Sequence, residues 1–194
     1  MTQSKPLYPV PRRASTFGIL LFLASLSMLF IASLVGYFVI RKFSSASPRG
    51  RVLHLPPILW LSTIVMIASS FTISRALVAI RAERRSDFRR YLWFTLALAI
   101  TFIAIQTPAL VQMLRDHARL EPSGMRLYGL LFFLVLLHAL HVIGGLVMLG
   151  IVLANAFRGR YDHENHVAVS NLALYWHFLD GVWLVMFLSL WIVG

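Results

Sequence analysis

Five stretches of this chain carry almost no charge, and each is long enough to cross a bilayer. No Lys, Arg, Asp or Glu lies between Arg13 and Arg41, Arg51 and Arg75, Arg90 and Arg115, or Arg126 and Arg158. From His166 to Gly194 the only formal charge is Asp180. A helix needs about 20 mainly apolar residues to span the hydrocarbon core. A Lys or Arg at its centre costs about 3 kcal/mol on insertion scales. Charges therefore mark where spans end. The intervals predict five transmembrane helices over about 16–40, 55–80, 91–114, 127–157 and 168–193.

Composition agrees. Hydrophobic residues make up 59% of the 194 and charged residues 13%, where a soluble domain carries about a quarter charged. A soluble enzyme, a disulfide-rich secreted domain and a disordered chain are all excluded. There is no cysteine, so disulfides, thiolate metal sites, iron–sulfur clusters and a Cys nucleophile are excluded too. The apolar runs are continuous rather than alternating, which argues against a β-barrel. No internal repeat is visible, and the connections between spans, about 10–16 residues each, are too short for a globular domain. The expected fold is all-α: one integral membrane domain, residues 1–194, built as a five-helix bundle. The first apolar run is closed by Arg41 and Lys42 and is longer than a signal-peptide core, so it is read as a retained helix.

The net charge of +11 has to be read by position. The N-terminal tail and the second and fourth connections carry eleven cations, against seven on the other side. That bias predicts a cytoplasmic N-terminus and an external C-terminus. Arg75, Arg81, Arg84, Arg85, Arg89 and Arg90 form the main basic patch, suited to anionic headgroups. No aromatic–basic interleaving accompanies them, so nucleic acid is not an expected partner. Trp60, Tyr91, Trp93 and Tyr128 lie near span ends, where an aromatic belt belongs.

Ionisable groups at membrane depth carry most of the functional information. His138 and His141 lie three apart on the fourth span, and Gly145 continues their stripe. A small residue there lets a neighbouring backbone approach. His177 and Asp180 lie three apart on the fifth span, flanked by Trp176 and Trp183. At 1.5 Å per residue, His138 and His177 each fall about 15 Å into their helices, near the midplane. One polar cluster of His138, His141, His177 and Asp180 is therefore expected, with Asp180 fixing a tautomer or charge on an imidazole. Three readings stay open: a buried network that fixes helix register, which is preferred; a proton or ion pathway; and haem or metal ligation by paired histidines. On the second span, Ser62, Thr63, Ser69, Ser70, Thr72 and Ser74 are read as packing hydroxyls. Gln106 is expected to satisfy backbone groups freed by Pro108. His163 and His166, beside Asp162 and Glu164, are read as a solvated loop. No P-loop, nucleophile elbow or GxGxxG motif occurs, and nothing resembles a self-contained active site.

Two segments carry a family resemblance. They are His138-Ala139-Leu140-His141-Val142-Ile143-Gly144-Gly145 and Tyr175-Trp176-His177-Phe178-Leu179-Asp180-Gly181-Val182-Trp183-Leu184. They resemble the H-x-x-H-V and Y-W-H-F-x-D-x-x-W-L signatures of subunit III of haem–copper terminal oxidases. The likeness extends through Met66–Thr72, Gln106 and Leu21–Phe30 to nearly the whole chain, in the short five-helix bacterial form. It implies a non-catalytic accessory subunit with no haem, copper or other metal in this chain. Haem and copper would reside in the partners, catalytic subunit I and subunit II. The resemblance further implies phospholipid held in a cleft between the first two helices and the remaining three, support of proton uptake, and placement in the bacterial inner membrane. Arg75, Trp60, Trp176 and Trp183 are the lipid-binding candidates. Two departures stand out. Leu26 occupies the place of a family carboxylate in the first helix, and Ala109 the place of a Glu three residues after Gln106, so no proton-antenna role carries over through those acids. The runner-up readings are a subunit III-like partner of a nitric oxide reductase and a di-histidine membrane cytochrome. An independent transporter is disfavoured by the missing inverted repeat.

Overall fold

In the computed structural model, which describes residues 12–43, 58–117, 122–162 and 165–193, five helices account for almost everything. They are α1 (Arg12–Phe43), α2 (Ile58–Arg81), α3 (Arg85–His117), α4 (Pro122–Phe157) and α5 (Val167–Val193). All five contain a segment long and apolar enough to cross a membrane. This is the expected all-α bundle, a multi-pass membrane protein. Residues 55–57 of the second predicted span, His163, Glu164 and the side chain of Tyr128 lie outside the described part.

Helices are the only way to bring these segments into lipid, because each backbone N–H and C=O must find its partner within the segment. Several serines and threonines follow the same logic. Ser25, Ser27, Thr101, Thr107 and Ser189 each donate to the carbonyl four residues earlier. Their polarity is thereby spent inside their own helix.

The α2–α3 and α3–α4 connections are shorter than expected, since α3 runs on to His117 and α4 starts at Pro122. The α2–α3 link is the turn Ala82-Glu83-Arg84, where the sequence suggested about ten residues. The α2 helix runs on to Arg81 and α3 starts at Arg85, because backbone hydrogen bonding extends beyond the charge-free core into the polar interface. The turn works by bonding the last carbonyls of α2. Arg84 N–H reaches Ala79 O at 2.9 Å and Glu83 N–H reaches Ile80 O at 3.1 Å, with Glu83 in the left-handed region at φ 58°. That pair of bonds is a Schellman cap. The end of α4 repeats it: Arg160 N–H to Asn155 O at 3.1 Å, Gly159 N–H to Ala156 O at 3.2 Å, and Gly159 at φ 67°. There glycine supplies the conformation without a Cβ penalty.

Helices α2, α3, α4 and α5 close into a ring in which each touches the next. Helix α1 lies outside, its backbone close to α4 and α5, and among the described residues its backbone approaches neither α2 nor α3 closely. Half of the α5 span is buried, against 17% of the α1 span, so α5 is the central element and α1 the peripheral one. The lipid cleft implied by the resemblance, dividing α1 and α2 from the rest, is not the division found. Helix α2 belongs to the ring because its small hydroxyl side chains admit α3 and α5 closely, and only α1 is set apart.

The largest cluster of buried residues, around Ile73, Ile80, Phe88, Leu92, Leu149, Val169 and Leu172, joins all four ring helices near one end. Phe88 meets Tyr161 edge-on at 6.3 Å, which holds the α2–α3 turn beside the α4–α5 connection. Asn171 Nδ2 donates to Ser15 Oγ at 3.0 Å, bringing the starts of α1 and α5 to that same end. Arg81, Arg84, Arg85, Arg89, Arg90, Arg158 and Arg160 therefore gather on one face of the bundle.

Candidate functional site

Polar side chains at membrane depth concentrate where α5 crosses α2. Antiparallel packing pairs a residue early in α5 with one late in α2, and the hydrogen bonds follow that order. Trp176 Nε1–H donates to Ser69 Oγ at 3.1 Å. One and a half to two turns on, Trp183 Nε1–H donates to Thr63 Oγ1 at 3.2 Å. Each hydroxyl has already donated its own proton within α2, Ser69 to Met66 O at 2.8 Å and Thr63 to Leu59 O at 2.9 Å. Both oxygens are left purely as acceptors, and an indole N–H is purely a donor. The match is complete at both positions.

These two tryptophans are among the lipid-binding candidates of the sequence. Both are only 4% exposed, turned inward because their N–H groups have their acceptors on α2. Trp60 is exposed, as is Arg75, whose guanidinium lies 4.8 Å from the Phe71 ring centre. Gln106 also differs from expectation. Its Nε2 donates to Ser62 Oγ at 2.9 Å, joining α3 to α2 rather than serving the backbone near Pro108. A side-chain oxygen on the facing helix is closer to hand there than a carbonyl of its own.

The expected four-residue cluster divides in two. His177 lies outside the inner pocket, with Nδ1 at 2.7 Å from Ser70 Oγ and Nε2 at 3.0 Å from Ser74 Oγ. Ser74 also donates to the Ser70 carbonyl at 3.0 Å, so its single proton is spent. Nε2 of His177 is then the donor toward Ser74, and in a neutral ring Nδ1 accepts from Ser70. The Ser70 hydroxyl also lies beside Asp180. His141 turns toward α1: Nδ1 donates to Leu137 O at 2.7 Å, and the Phe30 ring stands edge-on at 5.7 Å.

His138 and Asp180 remain together. Both line a pocket of ≈ 20 Å³ at the junction of α2, α3, α4 and α5, with Met66, Ser69, Phe102 and Trp176 among its walls. His138 is 3% exposed and Asp180 9%. The His138 ring packs at 5.7 Å from Trp183. Both of its nitrogens, and Asp180 Oδ2, have no hydrogen-bond partner in the protein. Both histidines meet the Phe30 ring of α1, His138 at 6.4 Å and His141 at 5.7 Å, but only His138 is also enclosed by the ring helices. Among the described residues no three of His, Cys, Asp or Glu gather closely enough to hold a metal.

Gly145 places α5 at its closest to α4. A Cβ there would meet Tyr175 Cε1 at 3.1 Å, Leu179 Cδ1 at 3.3 Å and Trp176 Cζ3 at 3.4 Å. The Tyr175 hydroxyl donates to His141 O at 2.8 Å across the same contact. Leu26 is 7% exposed and packs in an apolar cluster with Leu23, Met66, Phe102, Val142 and Trp183. The side chain of Ala109 lies outside the described residues.

Nothing in the spacing on α2 announced Thr63, Ser69, Ser70 and Ser74 as partners of α5. One signal was present: Trp176 and Trp183 lie seven apart, and Thr63 and Ser69 lie six apart, intervals that antiparallel helices bring into register.

Comparison with known proteins places these features in a family. The model of cytochrome c oxidase subunit III matches residues 9–194. A cytochrome c oxidase subunit 3 of Thermostichus vulcanus is 30% identical, covering 91% of this chain and 86% of that protein. One from Synechocystis sp. is 29% identical over 91% of this chain and 75% of its own length. A cytochrome bo(3) ubiquinol oxidase subunit 3 of Pseudomonas aeruginosa is 25% identical, covering 93% and 85% respectively. The tryptophans and histidine that tie α5 to α2 are those of the Y-W-H-F-x-D-x-x-W-L signature, and the chain belongs to the cytochrome c oxidase subunit III family.

Proposed function

We propose that this chain is the non-catalytic accessory subunit of a respiratory haem–copper oxidase, packed beside catalytic subunit I and, with it, subunit II. The observation that carries the reading is how the signature is used. Its two indoles and its imidazole bond hydroxyls of α2, which is structural work within one bundle. A di-histidine cytochrome would need two imidazoles opposed across a macrocycle, whereas His177 is held by Ser70 and Ser74 and His138 packs against Trp183. That geometry supports the accessory role. Among the similar proteins are subunits named for cytochrome c and for ubiquinol oxidases, so the shared element is the oxidase core rather than the electron donor.

The bundle's outward faces are apolar, with Phe17, Met28, Ile31, Ile64, Phe71 and Phe94 all exposed. These surfaces meet lipid or the partner subunits. Trp60 and Arg75 are the residues offered to phospholipid, one an interfacial aromatic and the other a phosphate-matching guanidinium. The protein sits in the bacterial inner membrane with its arginine-rich end toward the cytoplasm, where that charge is favoured. It stabilises the catalytic subunit and supports proton uptake, without the two family carboxylates replaced by Leu26 and Ala109.

The test is isolation of the native assembly in mild detergent. A haem–copper catalytic subunit should co-purify with this chain, and the chain alone should show no Soret band. A Soret band that disappears in His138 or His177 variants of the isolated chain would establish the cytochrome reading instead.

A further inference from the structure

We propose that His138 and Asp180 hold an internal water site where the four ring helices meet. Three buried polar atoms, both His138 nitrogens and Asp180 Oδ2, find no partner in the protein. Each orphaned group of this kind costs about 1–3 kcal/mol, and lipid offers nothing to repay it. All three belong to His138 and Asp180, which line the ≈ 20 Å³ pocket together with Met66, Ser69, Phe102 and Trp176. A water needs about 10–15 Å³ of such space and two to four polar partners. The pocket supplies the room, and the orphaned atoms supply the partners.

The other hydrogen-bonding groups around the pocket are already committed. Ser69 donates to Met66 O and accepts from Trp176, so its hydroxyl closes the wall. His138 also lines a second pocket of ≈ 60 Å³, which reaches Gln106 and Thr107 beside Trp183. Room for further water lies on that side. At the opposite edge Asp180 lies beside Ser70, which is bonded to His177 and, through its carbonyl, to Ser74. His138 and Asp180 are thus the middle of a polar line that runs from α3 through α4 and α5 to α2, in a bundle whose surroundings are otherwise apolar. A direct bond between the two side chains would satisfy at most two of the three atoms. A water between them serves one ring nitrogen and Asp180 Oδ2, and a second water in the adjoining ≈ 60 Å³ pocket serves the other ring nitrogen, which points the opposite way. The site stands independently of which oxidase partner the chain takes.

A structure of the intact assembly in lipid nanodiscs, at a resolution that resolves ordered water, tests this directly. At least one water is expected within hydrogen-bond distance of a His138 ring nitrogen and Asp180 Oδ2. A dry pocket, or a direct His138–Asp180 bond with no water between them, would overturn the proposal. Infrared difference spectra in H₂¹⁶O and H₂¹⁸O give a second readout. The internal-water O–H band should be lost in His138→Phe, which fills the pocket with an apolar ring, and kept in His177→Phe, which lies outside it. A band unchanged in His138→Phe would contradict the site.

Discussion

The indole N–H of Trp176 and the hydroxyl oxygen of Ser69 meet at 3.1 Å in a buried bond between α5 and α2. Its strength comes from a division of labour: Ser69 gives its proton to Met66 O and keeps a lone pair for the indole. Within a membrane, apolar contact between helices gains little, since lipid tails are as apolar as leucine. Packing and bonds of this kind hold the bundle together. A double-mutant cycle of Trp176→Phe and Ser69→Ala should give a coupling of about 0.6 kcal/mol, and no more than about 1.7. Reversible unfolding in detergent or bilayer measures it. Additive single effects would mean that the bond contributes nothing.

Gly145 and Gly144 are adjacent on α4 but meet different surroundings. A Cβ on Gly145 would press on Tyr175, Leu179 and Trp176, while one on Gly144 has only the Tyr175 hydroxyl at 3.7 Å. Both substitutions remove a helical glycine, so their backbone gains cancel in the comparison. Gly145→Ala should be less stable than Gly144→Ala by about 1–3 kcal/mol, the usual cost of overpacking. The difference is read from midpoints of thermal or SDS unfolding.

The α4–α5 connection depends on Gly159 at φ 67°, with open space around its missing Cβ. Strain in the left-handed region is then the whole effect. Gly159→Ala should cost about 1 kcal/mol and leave assembly with partners intact. A melting temperature equal to that of the parent protein would show that the turn accommodates the strain elsewhere.

Leu26 fills an apolar cluster shared by α1, α2, α3, α4 and α5. Restoring a carboxylate by Leu26→Glu should destabilise the protein by about 3 kcal/mol, the insertion cost of a charge near a helix centre. Leu26→Met should cost under about 1.5 kcal/mol. Yield and stability of the purified assembly separate the two variants. Equal behaviour would mean that a polar partner awaits an acid at that position.

Charge spacing alone located the five helices, because lipid penalises charge so strongly that Arg13, Arg41, Arg75, Arg90, Arg115 and Arg158 lie at or near the limits of the apolar spans. It misjudged the α2–α3 link, since helical hydrogen bonding continues past the last apolar residue and a Schellman cap turns the chain in three residues. The polar set was legible as residues and illegible as partners. Periodicity put His138 with His141 and His177 with Asp180; both rings of the first pair do meet Phe30 of α1, yet the roughly 60° between positions three apart leaves His138 enclosed by the core and His141 only part-buried. Trp176 and Trp183 were misplaced at the lipid surface because aromatic residues in a span suit either environment. Their burial is decided by Ser69 and Thr63, more than a hundred residues away in sequence.

The central claim is that this chain shapes and steadies an oxidase whose electron chemistry occurs in other subunits. Isolation of the native assembly from membranes in mild detergent, with subunit identification and optical spectra of the assembly and of this chain alone, tests it most directly. A haem–copper catalytic subunit in stable association, haem absorbance in the assembly, and none in the separated chain are expected. Haem retained by the separated chain, or a native assembly without an oxygen-reducing haem–copper core, would contradict it.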